Sequence, residues 1–194
     1  MIFPYIKPNV NPDPHGWFGE KNKSFLKPLV ADKKIILELG SWLGKSTRWF
    51  LDNSKAANIL CVDTWKGSIE HQTKKGIDVK LPNLLDTFVV NCWNYRHKIL
   101  YFQKDTISGM KEIHDLKIMP DFIYVDASHQ YEDVLNDLQT AYDLFPNALI
   151  CGDDWSWKNK SQEKRRTVRQ AVYTFCINNG LKVTDNGHVW MIIK

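Results

Sequence analysis

Residues 35–39, Ile-Ile-Leu-Glu-Leu, form a short apolar run that stops at a glycine, and a helical pattern follows over 45–53. A β-branched run of this length bounded by glycine reads as a buried strand. The same order recurs along the chain. Further strands are predicted over 58–62, 99–103, 121–125 and 148–151, and helices over 82–96, 106–116, 131–144 and 162–178. In 131–144, Val134, Leu135, Leu138, Ala141 and Tyr142, with Phe145 just beyond, recur at the spacing of one helix face. Gly180 ends the last helix. Two final strands, 181–184 and 189–193, flank the hairpin signal Asp185-Asn186-Gly187. Alternating strands and helices predict an α/β fold: a mostly parallel, seven-stranded sheet with helices on both faces. The closing hairpin makes the last strand antiparallel, which an all-parallel dinucleotide-binding sheet lacks.

The chain has 194 residues, enough for one domain with a sizeable core. Residues 1–30 differ from the rest. Four of the eight prolines fall in the first 14 residues, so this stretch reads as an irregular arm followed by a short helix over 21–29. Residues 31–194 form the domain proper. In the arm, Trp17 and Phe18 are expected to pack on the body. The net charge of +4 is mild, and the basic cluster 158–169 reads as a solvated helix face, so a nucleic-acid partner is not expected. The four cysteines form no CxxC pair, and Cys61 and Cys151 lie in apolar runs as buried thiols. No apolar run approaches 18 residues, and the first residues do not resemble a secretory signal. A reducing, cytoplasmic setting is expected.

The first strand ends in Glu38-Leu39-Gly40-Ser41-Trp42-Leu43-Gly44-Lys45-Ser46-Thr47. In open α/β sheets ligands bind beyond the carboxyl ends of the strands. Glycines let backbone approach a ligand, and the next helix offers free N–H groups. A P-loop requires four residues between its glycines, and three separate Gly40 from Gly44. The dinucleotide signature G-x-G-x-x-G is also absent. The pattern that remains is E-x-G-x-x-x-G, which resembles the first motif of class I S-adenosylmethionine (SAM)-dependent methyltransferases. A ligand-free strand-to-helix turn is the plain alternative.

The second strand ends in Asp63-Thr64-Trp65. Asp63 stands 23 residues after Gly40, near the spacing of about 20 at which a carboxylate accepts both ribose hydroxyls. Trp65 is placed to cover the adenine. Asp105-Thr106 follows the third strand, where the acid can accept from the adenine amino group or cap the next helix. The expected cofactor-binding set is therefore Glu38, Gly40, Ser41, Gly44, Ser46, Thr47, Asp63, Thr64, Trp65, Asp105 and Thr106.

The fourth strand ends in Asp126-Ala127-Ser128-His129 and the fifth in Gly152-Asp153-Asp154-Trp155. Adjacent strands would bring Asp126, Asp153 and Asp154 together. Clustered carboxylates repel one another, so a cation is their natural partner. An all-oxygen donor set favours magnesium or another hard divalent cation over zinc. The run Asp-Ala-Ser-His-x-Tyr-x-x-Val-x-x-Asp-Leu, then Gly-Asp-Asp-Trp, then Thr167-Val168-Arg169-Gln170-Ala171-Val172, resembles the metal-dependent macrolide-sugar and aminocoumarin-sugar O-methyltransferases, to which cephalosporin hydroxylase-like proteins are related. The likeness runs from about residue 35 to 194. Relatives carry Pro-Gly-Gly where this chain has Pro146-Asn147-Ala148.

The resemblance implies a Rossmann-like methyltransferase sheet and a divalent metal on Asp126, Asp153 and Asp154. It also implies His129 as general base. The implied reaction is transfer of the SAM methyl to a hydroxyl of a small-molecule or glycan acceptor carrying neighbouring hydroxyls. The metal would lower the pKa of those hydroxyls. The 63–96 segment, the arm, Trp155 and Trp157 are expected to set acceptor choice. Related proteins assemble, so a homo-oligomer is a further expectation. Two rival classes stay open: a SAM- or nucleotide-binding module without chemistry, and a nucleic-acid methyltransferase.

Overall fold

The computed structural model describes residues 2–67, 83–158 and 166–194. Among them are six α-helices: α1 (Glu20–Val30), α2 (Lys45–Asn53), α3 (Leu84–Asn91), α4 (Thr106–Asp115), α5 (Tyr131–Leu144) and α6 (Thr167–Asn179). The strands are β1 (Ile35–Leu39), β2 (Asn58–Asp63), β3 (Ile99–Gln103), β4 (Phe122–Val125), β5 (Leu149–Gly152), β6 (Lys182–Asp185) and β7 (Trp190–Ile193). They form one sheet in the order β3-β2-β1-β4-β5-β7-β6. β1 to β5 pair in parallel, and β7 lies antiparallel between β5 and β6. The expected antiparallel last strand is thus present.

β1 occupies the centre because nothing in it needs water except Glu38. It pairs with β2 in the register Leu39↔Val62 and with β4 in the register Leu39↔Val125. Its side chains alternate between two cores. Leu37 and Leu39 join the cluster of α4, α5 and α6 on one face. Ile36 joins Phe50, Phe88, Tyr124 and Leu26 on the other. Burying each large apolar side chain fully contributes roughly 1.5–3 kcal/mol, so both faces hold the sheet between helices. Strand order reverses at the β1/β4 junction, the place where an open α/β sheet leaves a crevice.

The predicted helix 82–96 is shorter. α3 ends at Asn91, and Trp93–Tyr95 form a separate 3-10 turn. The break lies at Cys92, whose thiol tucks beneath Gly44. Pro82, residues 162–165 of the predicted last helix and most of the 158–169 basic cluster lie outside the described residues. All four cysteines are buried and free. Among the described residues, no helix is long and apolar enough to cross a membrane.

The arm is built onto the body at several points. Phe3 is buried against Phe88, Trp93 and Tyr101. Phe18 is buried against Trp49, Phe50 and Tyr124. Trp17 meets the body at the Trp42 ring, 5.8 Å away, and remains 60% exposed.

Candidate active site

A cavity of about 750 Å³ opens past the carboxyl ends of β1, β2, β3, β4 and β5. That size suits a small-molecule cofactor. The loop after β1 forms its floor. Gly40 has φ +89°, and a Cβ there would lie 2.1 Å from the carbonyl oxygen of Asp126. The backbones leaving β1 and β4 therefore pass too closely for any side chain. Gly44 has φ +76°, and its Cβ would come 2.3 Å from the Cys92 sulfur. Between them Trp42 holds φ +47°, a conformation that costs a non-glycine residue about 1–2 kcal/mol.

Asp63 holds that strained loop. Its Oδ2 accepts from the Trp42 backbone N–H at 2.9 Å and its Oδ1 from the Trp65 N–H at 2.7 Å. Each oxygen keeps a lone pair for a ligand hydroxyl. Desolvation raises its pKa, and the backbone bonds oppose the rise. The Trp65 indole is turned away from the cavity. It is buried against Phe88 and Tyr101, and its N–H donates to the Trp42 carbonyl at 2.8 Å. The expectation that Trp65 covers an adenine is thus not met, because the apolar face behind the loop takes the indole.

Glu38 is buried below the loop, where the Thr47 hydroxyl donates to its Oε2 at 2.5 Å. Burial raises its pKa, and the hydroxyls of Ser46, Thr47 and Ser41 oppose the rise. Of the expected cofactor set, Gly40, Ser41, Ser46, Asp63, Thr64, Asp105 and Thr106 line the cavity. Glu38, Gly44, Thr47 and Trp65 stand behind its wall and shape it.

Asp105 caps α4, accepting from the Ser108 N–H at 2.8 Å, and that bond lowers its pKa. Thr106 donates its hydroxyl to Asp137 of α5. Asp137 is buried, and burial pushes its carboxyl up to about 7. Between the unfolded value near 3.8 and about 7, the folded chain binds the extra proton, so stability falls as pH rises through this window. At pH 8 the loss is on the order of 4 kcal/mol. Asp137→Asn is expected to raise the melting temperature at pH 8 by up to roughly 8–16 °C and to flatten its fall between pH 5 and 8. Thermal melts across that range check both.

The acidic strand ends meet at the far wall. Asp126, Asp153, Asp154 and His129 all line the cavity. His129 Nε2 lies 2.7 Å from Asp154 Oδ2. The imidazole stacks on Trp157, with centroids 4.3 Å apart and planes 17° from parallel. Asp154 holds φ +62°, in the left-handed region. Asp153 Oδ1 accepts from the Asp154 N–H at 2.8 Å. Its Oδ2 accepts from Asn22 at 2.5 Å and from the Tyr124 hydroxyl at 3.1 Å. Desolvation, then repulsion from Asp153 and Asp154, pushes Asp126 well above the usual carboxylate range. Desolvation and Asp154 raise Asp153 to about 7.

The donor set is hard and all-oxygen, and its mutual repulsion suits a divalent cation. Among the described residues, no three His, Cys, Asp or Glu side chains are gathered in a metal-holding group.

Asn22 was not legible as a partner of the acidic strand ends. Asn22 reaches Asp153 across 131 positions, and no local spacing encodes such a contact.

A seven-stranded sheet with an antiparallel β7, and a cavity over a glycine loop at its switch point, is the Rossmann-like fold of methyltransferases. The chain belongs to the methyltransferase domain family, which it matches over residues 37–155. Similar solved structures include an O-methyltransferase from Bacillus cereus in complex with SAH, at 18% identity and TM-score 0.64, over 91% of this chain and 82% of that one. Another is the O-methyltransferase TomG from Streptomyces achromogenes, involved in tomaymycin synthesis and bound to SAM, at 12% identity and TM-score 0.55, over 88% and 76%. A third is the fibrillarin pre-rRNA processing protein of Methanococcus jannaschii, at 14% identity and TM-score 0.56, over 85% and 67%. No curated protein sequence matches the chain.

Proposed function

We propose that the chain is a SAM-dependent O-methyltransferase acting on a hydroxyl of a sugar or other small diol-containing acceptor, with help from a hard divalent cation. The observation that carries this reading is the His129–Asp154 pair at 2.7 Å on the cavity wall. An alcohol releases its proton poorly near neutral pH. A histidine oriented by a carboxylate is the group that takes such a proton as the C–O bond forms. The sulfonium of SAM is already activated, so the protein's remaining task is alignment of methyl carbon and oxygen. Neighbours holding SAM and SAH in the same fold support the cofactor.

Asp63 would hold the cofactor ribose, and the Gly40–Gly44 loop would bring backbone against the methionine portion. Asp126, Asp153 and the Oδ1 of Asp154 would hold the cation, leaving Asp154 Oδ2 on His129 Nε2. Bound there, the cation would acidify and orient two neighbouring hydroxyls. His129 would move the proton, and Trp157 would keep its ring in plane.

The test is incubation with SAM and a panel of sugars and vicinal diols, with and without MnCl2, read by mass spectrometry. A product heavier by one methylene is expected, with higher yield in MnCl2. MnCl2 is also expected to raise the melting temperature of the wild-type chain and not that of Asp153→Asn/Asp154→Asn. Equal manganese response in that double variant would remove the metal assignment. Binding of SAM without turnover on any acceptor would favour the non-catalytic module.

A further inference from the structure

We infer that the N-terminal arm completes the cofactor site, with Trp17 as a cofactor-binding residue. This inference rests on the SAM reading above. The arm lies outside the 37–155 match, so nothing in the shared domain assigns it a role.

Its path is fixed at both ends. On one side Asn91 of α3 staples it: the Asn91 amide donates to the carbonyls of Asp13 and of Leu43, at 2.6 and 2.8 Å, and accepts from the Asp13 N–H at 3.1 Å. One side chain thereby binds the arm to the cofactor loop. On the other side Phe18 is buried in the core, and Asn22 donates to Asp153. Between these anchors His15, Gly16 and Trp17 cross above the loop. The Lys45 ammonium donates to the Gly16 carbonyl at 2.7 Å, and a Cβ at Gly16 would lie 3.2 Å from the Lys45 Cβ. Trp17 sits edge-on to His15 at 4.5 Å and 5.8 Å from the Trp42 ring.

Trp17 is 60% exposed while its neighbour Phe18 is 4% exposed, so much of the indole face is open to a ligand. Gly16, Trp17 and Phe18 all line the cavity. Carboxyl side chains outnumber the two lysines, Lys45 and Lys104, on this lining, and the one at Asp105 is held in its charged form by the Ser108 N–H. A cationic ligand suits such a wall, and an indole face adds attraction to a sulfonium or ammonium. The strap therefore roofs the end of the cavity nearest Lys45, with Trp17 laid against the ligand.

Calorimetric titration with SAM tests this. Trp17→Ala is expected to weaken SAM about tenfold, while Trp17→Phe stays within about threefold of wild type. The ligand-free melting temperature of both variants is expected to stay within about 2 °C of wild type, because the position is exposed. Unchanged SAM affinity in Trp17→Ala would overturn the inference. So would a loss matched by a fall in ligand-free stability, which would mark Trp17 as structural. A wild-type chain with no SAM affinity would overturn the proposed function itself, and the strap with it.

Discussion

Gly40→Ala is expected to abolish measurable SAM binding and to lower the melting temperature by roughly 6–12 °C. Two effects add. The position holds φ +89°, which costs an alanine about 1–2 kcal/mol. Its Cβ would also stand 2.1 Å from a backbone oxygen of Asp126 and 2.7 Å from the Ala127 Cα. Backbone at the end of a central strand cannot swing aside as a flexible side chain does, and overpacking of this kind costs about 1–3 kcal/mol. The β1 and β4 ends would separate, which displaces the loop that Asp63 holds and the acid at Asp126 together. A thermal melt and a SAM titration check the result. A variant with wild-type affinity would show that the crossing does not shape the site.

His129→Ala is expected to lower the rate of methyl transfer by roughly 10²–10⁴-fold with SAM affinity within about threefold of wild type. The split follows from position. His129 stands on the acidic wall beside Asp154, apart from the loop and the Asp63 carboxylate that face the expected cofactor. Asp154→Asn is expected to cost as much, up to about 10⁴-fold, because the amide can hold the ring in the wrong tautomer and no longer offers a carboxylate to the imidazolium or to the cation. Turnover at the wild-type rate in His129→Ala would end its assignment as base. A parallel loss of SAM affinity would make it a binding residue instead.

The sheet was legible because its signals are local. The run Ile35–Leu39, the Asp185-Asn186-Gly187 hairpin and the face of α5 each declare themselves within a few residues. The acid cluster was legible as a consequence of topology, since β4 and β5 are neighbours and an aspartate directly follows each. Orientation was not. Trp65 follows Asp63 by two residues, and its indole still turns into the core because Phe88 and Tyr101 offer a dry face there. Nor did the spacing of Asp153 and Asp154 show that one would pair with Asn22 and the other with His129. The arm was the least legible part. Its proline-rich composition describes an irregular segment, and only the tertiary contacts of Asp13, Phe18 and Asn22 make it a wall of the cavity.

The central claim is that the cavity over the Gly40–Gly44 loop is a SAM site. The most direct measurement is a calorimetric titration of the wild-type chain with SAM, set beside ATP and NAD. The account predicts one-site saturable binding of SAM and negligible heat from the other two, since the loop lacks both the P-loop spacing and the dinucleotide glycines. Saturable binding of ATP or NAD with none of SAM would contradict it.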